Sequence, residues 1–385
     1  MSDTTRRPRP LNRALPAIAG LLAVGSLALG VWGVRALTGG EDAPTPAATT
    51  AEALLVFAEF GPDADRLYLA SPATPEQRTL VATIEHATGW GINPAHGTAG
   101  HLVAYTVLPP GVPAERDTPA ELWVLDLATG EGTRLAQDAD LLVAPLFEED
   151  GRVLLYRRST GTLQELVRVV IEERTRAMVH AEQTTFGIFP IGYDADGALL
   201  FARLSTAGTD VLAVEAGGEP ALRFHASDHI ARDWRISPDR RWLSYLAPEP
   251  ALERIVHRAR VVALDGGADA PLAAPSASGE QYGPTWTPDG RALTVGQEAE
   301  AADAAAATTL SVEGHDAAAL AAPEQGFDVP VAWSPDGRYL AARTFDGVNS
   351  VDTGTERAVI IGTDGTRRPV DATTEVILIG WYVHA

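Results

Sequence analysis

The sequence predicts an all-β fold, a seven-bladed β-propeller, and three observations carry that expectation. A tight-turn signature recurs along the chain, short apolar strands follow each copy, and the two chain ends hold complementary fragments of one repeat. The best copy of the signature is Val331-Ala332-Trp333-Ser334-Pro335-Asp336-Gly337-Arg338-Tyr339-Leu340. An aromatic ends one strand, Ser-Pro-Asp-Gly reverses the chain, and an apolar strand follows. Pro presets φ near about −65°, Asp bonds back to its own backbone, and Gly takes a left-handed conformation that a Cβ resists.

The signature decays but keeps its spacing. Trp90 precedes Asn93-Pro94, Phe147 precedes Asp150-Gly151, and Tyr193 precedes Asp196-Gly197. Ile236 precedes Pro238-Asp239, Trp286 precedes Pro288-Asp289-Gly290, and Trp333 and Trp381 complete the set. These anchors fall about 43 to 57 residues apart, the length of four short strands with their turns. Second strands such as Val153-Leu154-Leu155-Tyr156 and Ala198-Leu199-Leu200-Phe201 are almost continuously apolar, as strands covered on both faces should be. Fourth strands such as Arg368-Pro369-Val370 carry charge and Pro, which an outer edge tolerates.

The ends explain each other. The repeat region begins at Leu54 with second, third and fourth strands lacking a first, and finishes with Val376 to Val383, a first strand lacking its second. Pairing the two closes a ring and removes the sheet edges an open array would expose. Two stretches compete with this reading. Gln164 to Ala181 has some helical character, but Val167, Val169 and Ile171 alternate, and the repeat requires two strands there. The Ala-rich run from Ala299 to Ala307 has helix propensity but occupies a loop between second and third strands.

Ahead of the repeats the composition changes. Residues 1–13 carry Arg6, Arg7, Arg9 and Arg13, and Ala14 to Val34 follow without a charge. At ~1.5 Å per residue that run is about 31 Å long, the thickness of a bilayer's hydrocarbon core. The expectation is a basic cytoplasmic N-terminus over residues 1–13 and a transmembrane signal-anchor helix over 14–37. A Pro/Ala/Thr-rich linker over 38–52 follows, then the propeller over 53–385. The positive-inside rule places the propeller outside the cytoplasm, on a single-pass membrane protein. A cleavable signal peptide ending near Val34-Arg35-Ala36 is the competing reading.

Charge and cysteine content narrow the partners. The chain of 385 residues carries 30 basic side chains, all Arg, against 51 carboxylates, for a net charge of −21. That balance speaks against nucleic acid. The absence of Cys excludes disulfides, thiolate metal sites and Cys nucleophiles.

The Trp-Ser-Pro-Asp-Gly-Arg-Tyr-Leu-Ala pattern, best at Trp286 to Leu293 and Trp333 to Leu340, resembles the TolB-like propeller family. That family shares its WD40-like repeat with the propeller domains of prolyl-oligopeptidase-type enzymes. The resemblance implies a protein-binding or ligand-binding propeller outside the cytoplasm, monomeric as a propeller. Its matching residues are structural and name no ligand.

Candidate sites follow from placing residues in the connections between blades, around one mouth of the channel. His86, His225 and His229, with Asp228 and Asp233 nearby, have the donor types for a transition-metal ion. Against this, the sequence has no His-x-His and a single His-x-x-x-His, at His225 and His229, among nine histidines, so scattered loop histidines are the alternative and no metal ligand is assigned. Asp138, Asp140, Asp228, Asp233, Glu280, Glu324, Asp328 and Glu375 fall in the same connections, where they would form an acidic funnel if they converge. Trp234 and Tyr282 precede anchors and are placed to stack on a ligand at the mouth. No Gly-x-Ser-x-Gly elbow occurs, so Ser-hydrolase chemistry is not expected. The expected function is a non-catalytic module binding a protein or small ligand at the mouth, without a cofactor. The alternative is a propeller enzyme or sensor with a small molecule or metal ion in the channel.

Overall fold

The computed structural model describes residues 52–113, 115, 118–148, 151–251, 254–266, 270–272, 279–299, 304–312, 317–370 and 375–383. The predicted basic N-terminus, the membrane anchor and nearly all of the linker lie outside the described residues. What is described forms seven antiparallel sheets arranged as successive blades.

The first blade combines both ends of the chain. Val376–Val383 is its innermost strand, followed outward by Ala53–Glu59, Ala64–Ala70 and Arg78–Glu85. Leu55 lies opposite Trp381 and Phe57 opposite Leu378, so the predicted ring closure is present. Each later blade runs outward in chain order. Their innermost strands are Asn93–Pro94, Leu146–Phe147, Gly187–Tyr193, Arg232–Ile236, Gln281–Trp286 and Gly326–Trp333.

Second strands bury almost every side chain, because neighbouring blades cover both faces. Leu154, Leu155 and Tyr156 are fully enclosed in the third blade, and Leu200, Phe201 and Ala202 in the fourth. Gln164 to Ala181 is two strands, Leu163–Val170 and Arg176–Gln183, as the repeat demanded. In the Ala-rich run, Ala304–Ala305 instead pairs in parallel with Gly326 and Phe327 of the next blade. The small side chains let that backbone approach the inner strand.

The signature turn closes as its residue types dictate. Ser334 Oγ donates to Asp336 Oδ1 at 2.6 Å and accepts from the Tyr339 amide at 3.0 Å, while Gly337 sits at φ 69°. The anchoring aromatics then tie blades together. Trp286 Nε1 donates to the Arg235 carbonyl at 3.1 Å, and Trp381 Nε1 to the Ala332 carbonyl at 3.0 Å. Trp333 Nε1 reaches Thr294 Oγ1 at 2.9 Å. Ile236 is buried, and Phe147 and Tyr193 pack half-buried against clusters joining adjacent blades.

Trp90 departs from the predicted role. It is 40% exposed, in the connection ahead of Asn93–Pro94, and the second blade buries Ile92 and Ala95 around that inner strand instead. The connection there, residues 95–101, is longer than residues 334–338 of the seventh blade, and Thr98 Oγ1 bonds the Trp381 carbonyl at 2.6 Å. Counting back from Asn93-Pro94 therefore picked the wrong residue.

Candidate functional site

Each blade ends in a connection to the next blade's innermost strand, and these connections share one face of the ring. A small cavity of about 80 Å³, partly open to solvent, lies among the inner strands of the second to fifth blades. Its walls are mainly apolar, including Leu142, Pro145, Phe189 and Ile230, and its polar members are His96, Arg232 and Asp233. Trp234 also lines it, half-buried, with its ring stacked 4.7 Å from Tyr245.

Asp233 is the anomaly of this wall. It is 6% exposed, it sits at φ 56°, and among the described residues no hydrogen bond reaches its carboxyl. The register explains its backbone. Arg232 faces Leu246 and Arg235 faces Ser244, so the inner strand carries an extra residue and bulges. The sixth blade has the same bulge between Tyr282 and Thr285, and there the left-handed residue is Gly283, at φ 50°. A Cβ on Gly283 would stand 2.4 Å from the Pro330 carbonyl oxygen, whereas the equivalent place in the fifth blade opens on the cavity. Asp233 thus combines a left-handed backbone with a largely buried carboxyl on the cavity wall, a combination that persists at functional sites. Burial pushes its pKa up, against the pull of Arg232 and Arg235.

The surrounding polar atoms are also short of partners. His96 Nε2, Arg232 Nε and Arg235 Nη2 are enclosed without a hydrogen bond. Burial and the charge of Arg235 hold His96 well below the usual imidazole range, so it is neutral. Burial likewise lowers Arg235 to about 9. Arg235 is tied through Nε to the Pro284 carbonyl at 3.3 Å.

A second, satisfied network flanks this wall. Glu280 accepts from His257 Nδ1 at 2.9 Å, Ser350 Oγ at 2.6 Å and the Tyr282 hydroxyl at 3.2 Å. Burial would raise its pKa, but the bonds from His257 and Ser350 and the charges of His257 and Arg232 outweigh that and lower it. Tyr282 stacks on Phe327 at 4.8 Å and is nearly enclosed, which removes it as a free stacking platform. Its burial came from the neighbouring blade, which sequence spacing does not report.

The remaining predicted site residues separate. His86 is enclosed in the first blade, Nε2 lying 3.1 Å from Asp65 Oδ1 and Nδ1 2.9 Å from the Ala87 carbonyl. It is a structural pin, not a mouth ligand. His225 lies on the outer strand Ala221–Ser227, its ring nitrogens 2.9 Å from Asp210 and 3.2 Å from Asp228. His229 contributes its backbone carbonyl to Thr209 Oγ1 at 2.7 Å. Among the described residues no group of three His, Asp or Glu side chains is arranged to hold a metal ion. Three of the carboxylates that a funnel would need are paired. Asp328 is fully buried in a two-pronged pair with Arg367 at 2.8 Å, Asp140 pairs with Arg157 at 2.7 Å, and Asp138 with Arg158 at 3.1 Å.

The bond from Asp210 raises the pKa of His225, with Asp228 adding to it. A raised imidazole pKa contributes stability that is complete below about pH 6.5 and is lost as pH rises through the folded value. NMR titration should place His225 above the unperturbed value, and Asp210→Asn should bring it down. An unmoved titration would show that the ion pair is absent in solution.

Sequence reasoning missed His96, Arg235 and His257. One signal was available: the inner strand Arg232–Ile236 holds three charged residues at positions that are uncharged in the fourth, sixth and seventh blades.

No protein-family model matches the sequence, and no curated protein matches it. Solved structures do match. An oligogalacturonate lyase from Vibrio parahaemolyticus superposes with a TM-score of 0.55 at 11% identity, over 83% of this chain and 86% of that one. A putative 6-phosphogluconolactonase from Bacteroides uniformis gives 0.53 at 14% identity, over 86% and 98%. TolB from Acinetobacter baumannii gives 0.49 at 16% identity, over 73% of this chain and 66% of that one. The likeness is one of fold. At these identities a propeller shared by enzymes and non-enzymes carries no assignment of activity.

Proposed function

We propose that this chain is a non-catalytic binding propeller whose channel cavity holds a small polar molecule through Asp233. The supporting observation is Asp233 itself, left-handed, buried and unbonded at a position where the next blade uses Gly283. Its neighbours define the ligand's chemistry. The enclosed Arg232 Nε calls for an acceptor, His96 Nε2 donates or accepts according to its tautomer, and the Asp233 carboxylate calls for a hydroxyl or amide donor. A neutral or anionic molecule bearing both groups, with an apolar part against Phe189 and Ile230, fits that wall. The apolar run at 14–37 would tether this propeller outside the cytoplasm, and protease added to intact cells would then digest it.

Native mass spectrometry of the purified full-length protein tests the channel reading. Wild type should carry a small-molecule adduct that Asp233→Asn loses, with affinity lowered roughly 10- to 100-fold for one charge-assisted bond. An adduct unchanged by Asp233→Asn would overturn the reading, and an adduct converted to product during incubation would make the protein an enzyme. Asp233→Gly should also stabilise the fold by about 1 kcal/mol, because it removes the strain and the buried carboxyl at the expense of chain entropy. A raised carboxyl pKa makes wild-type stability fall as pH rises from about 4 through the folded value. Denaturant melts of Asp233→Asn should lack that component.

A further inference from the structure

Four consecutive connections between blades each leave one large apolar side chain in water. They are Trp90, Leu142, Phe186 and Ile230, exposed by 40%, 46%, 51% and 59%. Each lies between an outermost strand and the next innermost one, so all four stand on the same face, in an arc from the first blade to the fifth. The connection between the sixth and seventh blades exposes Glu324 and Gln325 in their place.

The exposure is built in. Gly89 donates its amide to the Pro62 carbonyl at 2.7 Å, and the Phe186 amide is held by Thr184 Oγ1 at 3.1 Å. Thr209 Oγ1 holds the His229 carbonyl next to Ile230 at 2.7 Å. These loops are pinned with their apolar side chains outward, and apolar surface presented this way marks an interaction site.

Charge selects the occupant. The same face carries the exposed carboxylates Asp63, Asp228, Glu324 and Asp352, while its exposed Arg254 is paired with Glu298. A second copy of the chain or an anionic bilayer would bring like charge to this face. The described chain also begins on the opposite face, where Ala53 pairs with Val383 and Glu52 accepts a bond from Ser71.

We propose that this arc is a docking surface for a basic amphipathic segment of a partner protein. The segment's apolar face covers the four side chains, and its cations meet the carboxylates around them. This goes beyond the channel reading; Leu142 and Ile230 also line the cavity, and Trp90 and Phe186, which do not, keep the two separable.

The test uses the full chain and a synthetic amphipathic peptide of Leu and Lys, with a Leu–Glu peptide of the same pattern as its counterpart, followed by fluorescence anisotropy. The Leu–Lys peptide should bind, and bind more weakly as salt is raised. A double variant, Trp90→Glu with Phe186→Glu, should lose about tenfold or more in affinity, since a large side chain's burial contributes about 1.5–3 kcal/mol. Leu80→Glu with Leu222→Glu, on outer strands at 51% and 59% exposure, should bind as wild type. If the first double variant melts early, Phe186→Ser alone should still weaken binding. Equal binding of the Leu–Glu peptide, or undiminished binding by the arc variants, overturns the proposal. So does salt-sensitive self-association of wild type that the arc variant abolishes, or equal binding to phosphatidylglycerol vesicles.

Discussion

A chain ending at Glu375 should not form the closed ring, and should show neither the cooperative melt nor the near-ultraviolet signal of the intact protein. The strand removed, Val376–Val383, is paired along the whole of Ala53–Glu59. Its side chains also face two directions. Trp381 packs with Leu55, Phe57 and Ile360, joining the first blade to the seventh. Ile379 and Tyr382 pack with Val56, Val103 and Tyr105, joining the first blade to the second. Losing three large buried side chains at ~1.5–3 kcal/mol each removes roughly 4.5–9 kcal/mol, which is comparable to a domain's whole stability of about 5–15 kcal/mol. Adding the peptide of residues 376–385 back should restore part of the melt. A shortened chain that melts like the intact one would show that the closing strand is dispensable.

Asp65→Ala should be the most damaging single substitution outside the hydrophobic clusters, at about 3–5 kcal/mol. The carboxylate is fully enclosed and accepts from the Ile92 amide at 2.7 Å, the Gly61 amide at 3.2 Å and His86 at 3.1 Å. Without it three donors remain buried and unmatched, and the connection carrying Trp90 loses its hold on the first blade. Asp65→Asn should be milder, since its side-chain oxygen still accepts an amide. The check is urea denaturation with Trp fluorescence, and a loss under 1 kcal/mol for Asp65→Ala would show that water or relaxation satisfies those donors.

Both effects act through the ring, yet only one was legible beforehand. The closing strand announced itself, because its partner's repeat lacked a first strand and period and turn chemistry are local properties. Asp65 and His86 did not. They lie 21 residues apart on one blade, and nothing in either residue's neighbours marks the bond. His86 was read as a mouth residue because connections between blades are usually solvated, and here the loop folds its ring inward against Phe60.

The same division runs through the candidate site. Of the residues expected at the mouth, Asp233 and Trp234 line the cavity, while Glu280 and Tyr282 lie in the neighbouring buried network. Their condition depended on contacts from other blades. Ser350 and His257 satisfy Glu280, Phe327 covers Tyr282, and among the described residues no hydrogen bond reaches the Asp233 carboxyl. Similarly the acidic connections read as a funnel, while Arg157, Arg158 and Arg367 from distant strands neutralise Asp140, Asp138 and Asp328.

The amino-acid sequence by itself determined the blade, the number of blades and the closure, because turns, periodicity and apolar runs are encoded within a few residues. Tertiary structure alone decided which carboxylates are paired, which histidine is a pin and which left-handed residue faces an open cavity. Those properties come from side chains brought together across blades, and long-range desolvation and pairing leave no local trace in the chain.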